Sequence, residues 1–120
     1  MKKIIAIIAV LGLTIGLSTI FAGEGNSKNG VKLIKAKCGY CHAFSANGKK
    51  ISSATSGPDL TGIATERGEP FTRIYMVNPE QGRKDFKAIY DKEIKGKYNM
   101  KMPSVRLTPS EIDDITAALK

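Results

Sequence analysis

Cys38-Gly39-Tyr40-Cys41-His42 holds the only two cysteines and the only histidine in 120 residues. Two thiols separated by two residues can each add to one of the two vinyl groups on a porphyrin edge. The histidine directly after the second thiol is then held beneath the ring, where an imidazole nitrogen can ligate the iron. C-x-x-C-H is the attachment pattern of a c-type haem. It predicts one covalent haem c, with thioethers to Cys38 and Cys41 and with His42 on the metal. Such a group constrains the fold strongly, because it supplies apolar surface for the core and an iron tether across the chain.

Three other uses of these residues fit less well. A redox dithiol belongs at the start of a helix that follows a strand, whereas these cysteines follow a lysine-rich helical stretch. A Cys38–Cys41 disulfide would close a very small loop and add little stability. A zinc site needs four protein ligands, usually drawn from Cys and His, and this chain offers three, all adjacent.

The N-terminus places the haem outside the cytoplasm. Lys2 and Lys3 precede an uncharged apolar run from Ile4 to Phe21, then Ala22 and the polar Gly23-Glu24-Gly25-Asn26. That order is a secretory signal peptide over residues 1–22. The run is also long enough to span a bilayer, so an uncleaved membrane anchor is the alternative. No cysteine lies near the cleavage point to carry a lipid. Residues 23–120 remain as one small domain, exported and, in a bacterium, periplasmic.

That domain carries 17 Lys and Arg against 11 Asp and Glu. No nucleic-acid-binding module is present, and export argues against such a partner. A docking surface for an acidic redox protein accounts for the charge more economically. Membrane contact is expected only if residues 1–22 stay attached.

Sustained period-two alternation is absent, so the domain reads as all-α, with three to five helices around the haem. Ser27 to Lys37 forms the first, with Val31, Ile34 and Cys38 at helical spacing and Lys28, Lys32 and Lys35 as a charged stripe. Gly30 inside it costs about 1 kcal/mol relative to alanine, which a close helix crossing would explain; otherwise the helix starts at Gly30. Ser45 to Glu69 reads as a long loop wrapping a haem edge. Pro70 opens a second helix with Phe71, Ile74, Tyr75 and Val77 on one face, and Asn78-Pro79 ends it. Asp85 to Lys95 is a third, with Phe86, Ile89 and Tyr90 on one side and Gly96 after it. The last begins with a capping box, Thr108 as N-cap, Pro109 as first helical residue and Glu111 as reciprocal partner. Ile112, Ile115, Ala118 and Leu119 form its buried face.

One histidine leaves the sixth position of the iron open. Thioether sulfur favours reduced iron and raises the potential. Met76 lies within the apolar pattern of the second helix and reads as core. Met100 and Met102 sit in the non-helical stretch before Thr108. Pro103 favours Met102, because a residue before proline is forced into an extended conformation and the loop stiffens. Met100 remains the alternative.

This arrangement resembles the class I cytochrome c family in its small bacterial, monohaem form. The resemblance runs from the first helix through Cys38-Gly39-Tyr40-Cys41-His42 and Gly57-Pro58-Asp59-Leu60-Thr61-Gly62. It continues through Arg73-Ile74-Tyr75-Met76-Val77-Asn78-Pro79 and Met102-Pro103 to Leu107-Thr108-Pro109-Ser110-Glu111-Ile112. The haem motif and the later Met-Pro are specific; the connecting helices are not. The resemblance implies a cytochrome c fold with terminal helices crossing near the haem, and one-electron transfer rather than catalysis. It implies Met102 as the distal ligand, and the Pro58 carbonyl as acceptor for the second ring nitrogen of His42. It places Gly30 where the terminal helices touch. Ile34 and Ala118 stand where the family often has aromatics, implying a weaker crossing or one compensated elsewhere. With no tryptophan, a haem propionate must find Tyr98, Arg67, Arg73 or backbone.

Lys35, Lys37, Lys49, Lys50, Lys97 and Lys101 lie near the motif or the methionine loop and would steer an acidic partner to the haem edge. Two further roles fit the same residues. One is a haem-bearing subunit of a larger oxidoreductase complex. The other is a haem enzyme or gas-binding protein with an open distal site.

Overall fold

The computed structural model describes residues 24–120. The signal-peptide expectation for residues 1–22 lies outside them. Among the described residues, no helix is long and apolar enough to cross a membrane. Six helices and one two-stranded hairpin follow in the order α1 (Ser27–Lys37), β1 (Ala43–Ala46), β2 (Lys49–Ser53), α2 (Ile63–Arg67), α3 (Glu69–Val77), α4 (Pro79–Asp85), α5 (Lys87–Glu93) and α6 (Pro109–Ala118).

Helix α1 starts at Ser27, not at Gly30. The Asn26 side chain caps it by accepting the Asn29 N–H at 3.1 Å. Its apolar positions converge on Ile34, which is fully buried together with Ile115 of α6. At Gly30 the two helices meet backbone to backbone. A Cβ there would lie 2.0 Å from the Asp114 carbonyl oxygen and 2.9 Å from the Ala118 Cβ. Gly25 is equally close, its Cβ position falling 1.9 Å from the Asp113 carbonyl oxygen. The crossing is therefore tight enough to exclude a methyl group, which repays the helix propensity lost at Gly30.

Small contacting residues did not leave this crossing unsupported. Asp114, buried on α6, accepts the Asn26 N–H at 2.7 Å and the Asn29 side-chain amide at 2.6 Å. The Asn29 bond and then the Asn26 bond hold its carboxyl below the usual aspartate range. A polar clamp on the α1 N-terminus thus compensates, away from Ile34 and Ala118, for the small residues at the crossing. The capping box opening α6 forms as read, with Thr108 Oγ1 accepting Glu111 N–H and Glu111 bonding back to Thr108 N–H.

The expected loop over Ser45–Glu69 is in part a β-hairpin. β1 and β2 pair antiparallel, with Ala43 opposite Ser53 and a bulge between Phe44 and Ser45. Asn47 and Gly48 take φ of 51° and 73°, the paired positive values of a tight hairpin turn. Neither strand alternates cleanly, because only Phe44 is driven into the core, and that concealed the hairpin from the sequence. The same loop then yields α2, whose Ile63 and Ala64 are buried and whose Ala64 N–H donates to the Leu119 carbonyl at 2.9 Å.

Helix α3 ends at Asn78 as expected, but the chain re-enters a helix at once. Asn78 caps α4 by accepting the Gln81 N–H, with Pro79 as first helical residue. The polar Gln81-Gly82-Arg83-Lys84 gave no apolar periodicity, so only the Asn-Pro signal marked it. Asp85 belongs to α4, Phe86 breaks the chain with φ −121° and ψ 46°, and α5 follows. Gly96, at φ 76°, closes α5 after Lys95 N–H donates to the Tyr90 carbonyl.

Gly30→Ala should destabilise the haem-bearing protein by about 1–3 kcal/mol in guanidinium denaturation, the usual cost of forcing a methyl into a closed contact. The Asp114 clamp contributes stability above the unfolded aspartate pKa of about 3.9, and loses it as pH falls through the lower folded value. Asp114→Asn should therefore flatten the loss of stability below about pH 4 relative to the unsubstituted chain.

Candidate haem site

The C-terminal end of α1 delivers the motif. Cys38 caps that helix, its N–H donating to the Ile34 carbonyl at 2.8 Å. A turn follows in which the Cys41 and His42 N–H groups both donate to the Cys38 carbonyl, at 3.1 and 3.0 Å. Gly39 is wedged between two neighbours, since a Cβ there would lie 2.9 Å from the Lys35 carbonyl oxygen. Ser52 of β2 donates its hydroxyl to the Gly39 carbonyl at 2.6 Å. The hairpin thus braces the turn that carries the cysteines.

His42 is buried, with 8% of its surface exposed. Its Nδ1 lies 2.7 Å from the Pro58 carbonyl oxygen. A carbonyl only accepts, so Nδ1 carries the proton and Nε2 keeps its lone pair. Burial pushes the imidazole pKa below its ordinary value, the Pro58 bond opposes that, and the Arg67 guanidinium adds to it. Burial and Arg67 favour the neutral imidazole, while the Pro58 bond orients the ring and leaves its other nitrogen free to ligate a metal. The Pro58 contact expected from the sequence is thus present. Burial also pushes the Cys38 thiol up to about 11, against the partial opposition of Lys37. The two sulfurs are not joined to each other.

These residues form one wall of a cavity of about 300 Å³. Ser56, Gly57 and Pro58 continue that wall, and Leu60, Ile63, Phe71, Met76 and Leu119 form its apolar interior. Tyr90, Ile94, Tyr98 and the Asn99–Pro103 segment also line it. Met76 is buried in the core cluster, as its helical position suggested. Met102 is half-buried and packs on that cluster, whereas Met100 is 66% exposed at the cavity lip. The Met loop is tied to α3 by the Val105 N–H, which donates to the Met76 carbonyl at 3.0 Å.

Two observations test whether haem suits this cavity. Arg67 lines it, and its Nε is buried with no hydrogen-bond partner. An unpaired buried guanidinium nitrogen is costly, and a porphyrin carboxylate is the acceptor that would satisfy it. Second, α5 buries none of its residues, although its own Tyr90 and its C-cap Ile94 line the cavity. A large apolar group covers such a face. The residues fit haem. Among the described residues, no cluster of three or more His, Cys, Asp and Glu could hold a metal without it.

Of the three side chains expected to meet a propionate, Arg67 and Tyr98 line the cavity. Arg73 does not: it is bonded to Asp113 at 2.8 Å and lies 3.7 Å from Glu69, joining α3 to α6. Sequence spacing could not separate the two arginines, because the ion-pair partner of Arg73 comes from 40 residues away. Thr72, Tyr75 and Arg83 line the cavity without having been expected there. Only the apolar face of α3, which includes Tyr75, hinted at any of them.

A protein-family model described as cytochrome c matches residues 27–120. No curated protein matched the chain. The match covers most of the sequence and all of the cavity, so the chain belongs to the cytochrome c family. It carries one covalently bound haem c and works as an electron carrier.

Arg67→Met should lower the reduction potential by about 30–60 mV, since a buried cation near the haem disfavours the ferric state; tenfold for one electron is about 59 mV. Spectroelectrochemical titration measures it. The same substitution at Arg73 should instead lower stability and leave the potential near its original value.

Proposed function

We propose that this member of the cytochrome c family is an exported, periplasmic shuttle that would hold its haem iron through His42 and Met102 and that docks acidic redox proteins. The observation that carries the ligand pair is the convergence of His42 and Met102 on one cavity from distant segments of the chain. When bound, haem c supplies a ferrous/ferric couple, and imidazole opposite a thioether favours the ferrous form.

The protein's own part is to hold both ligands still. His42 is fixed by its bond to Pro58, and the Met loop by the Val105–Met76 bond. Met102 has its stem against the core, while Met100 faces outward. A ligand on braced backbone would move little as the bound haem gains or loses an electron, and His42 is the better braced of the two.

The expected docking charges are on the surface. Lys35, Lys37, Lys49, Lys50, Lys97 and Lys101 are all exposed. Lys37 and Lys97 have acidic neighbours in Glu111 and Glu93 at 3.7 and 4.0 Å, and Lys101 lines the cavity lip. Tyr40, between the two cysteines, is 95% exposed, and Met100 stands out from the facing loop. Exposed lysines and two exposed apolar side chains near the motif and the Met loop suit a short-lived encounter with an acidic protein, steered by long-range attraction. The basic N-terminus and apolar run of residues 1–22 support export.

The ferric protein should show the weak near-infrared sulfur-to-iron charge-transfer band. Met102→Ala should abolish it and Met100→Ala should retain it; the reverse result would reassign the ligand. Electron transfer to an acidic partner should slow as salt rises, with attraction largely screened beyond about 10 Å at 0.1 M. A rate independent of salt would remove the exposed lysines from the account.

A further inference from the structure

Gly57 has no side chain for a reason its backbone does not supply. The glycines with positive φ among the described residues are Gly48, Gly62, Gly68 and Gly96. Gly57 is not one of them, so its φ does not itself call for glycine. Its surroundings are what forbid one. A Cβ on Gly57 would lie 2.4 Å from His42 Cε1, 2.7 Å from Nδ1 and 3.1 Å from Nε2. Real Cβ atoms do not approach that closely, so an alanine would displace either the imidazole or the 57–58 backbone.

Neither can move freely. The Gly57 N–H donates to the Cys41 carbonyl at 2.7 Å, and His42 Nδ1–H donates to the Pro58 carbonyl at 2.7 Å. Two residues further on, the Leu60 N–H donates to the Ala43 carbonyl at 2.9 Å. The segment around Gly57 is thus bonded to the residues before, at and after His42. The hairpin Ala43–Ser53 is the loop that returns the chain to make this clasp.

We propose that Gly57 is the positioning residue of His42: its bare α-carbon lets the 57–58 backbone lie against the imidazole and fix the ring's rotation through the Pro58 carbonyl. The inference rests on haem ligation by His42, and goes beyond it in assigning the ring's orientation to one glycine. Gly57 lines the cavity but has no side chain to ligate a metal, and its hold on the ring runs through the backbone beside the histidine.

The test uses the haem-bearing protein, with mass measurement confirming the attached group. In the ferrous state, NMR follows exchange of the His42 Nδ1 proton with deuterium; in the ferric state, EPR g-values report the axial ligand's orientation. Gly57→Ala should speed the exchange about tenfold, equivalent to about 1.4 kcal/mol, and shift the g-values. Gly48→Ala is the control. It strains an exposed turn at φ 73° with nothing within 4 Å, so it should lower stability yet leave both signals unchanged. Wild-type exchange and g-values in haem-bearing Gly57→Ala would overturn the proposal, as would equal changes in Gly48→Ala. If Gly57→Ala yields no haem-bearing product, Pro58→Ala, which keeps the carbonyl but frees its direction, should speed the exchange in the same sense, and an unchanged rate there overturns the proposal. A wild-type protein without haem would sink the haem reading itself, a result distinguishable from either.

Discussion

Helices α1 and α6 approach so closely that Gly25 and Gly30 have no room for a side chain against the Asp113 and Asp114 carbonyls. Everything at the site is hung from that contact. It fixes the axis of α1, whose end carries Cys38, and it brings Leu119 to the floor of the cavity. It also sets α2, because Ala64 bonds back to the Leu119 carbonyl. An approach this tight offers little apolar area, so it depends on the Asp114 clamp to Asn26 and Asn29. Hydrogen bonds to a charged acceptor are among the stronger ones in proteins, and here they do what larger packed side chains would do elsewhere.

The two walls of the haem cavity are built differently. The histidine side is bonded at every step: Ser52 to Gly39, Gly57 to Cys41, His42 to Pro58 and Leu60 to Ala43. The methionine side rests on one backbone bond from Val105 and on the packing of Met102 and Leu107. Helix α5 next to it buries none of its residues among the protein's own atoms. Rigidity is thus concentrated under the imidazole, and the distal wall relies on what fills the cavity. Local stability follows the number of buried contacts, so the distal wall is the softer half of the molecule.

Charge and apolar surface are divided in a related way. Lysines stay exposed around the motif, the hairpin tip and the Met loop. Arg73 is drawn inward to bond Asp113, while Arg67 keeps a buried Nε turned to the cavity. A guanidinium tolerates partial burial only where carboxylates meet it. For Arg73 that carboxylate is on α6, whereas the Arg67 Nε has no acceptor among the protein's own atoms.

The sequence by itself determined the chemistry and the ends of the fold. C-x-x-C-H is local: five adjacent residues dictate attachment and one ligand without reference to anything distant. The capping box of α6 and the glycine that stops α5 are local in the same sense, because caps and turns are satisfied within a few residues. Tertiary structure alone decided the rest. It chose between Arg67 and Arg73, put Met102 rather than Met100 against the core, and turned a polar loop into a hairpin that braces the motif. It also gave Gly57 its reason, since a glycine's sequence neighbours cannot reveal that an imidazole 15 positions earlier occupies the place of its missing side chain. Those outcomes rest on contacts between distant segments, which no local pattern encodes.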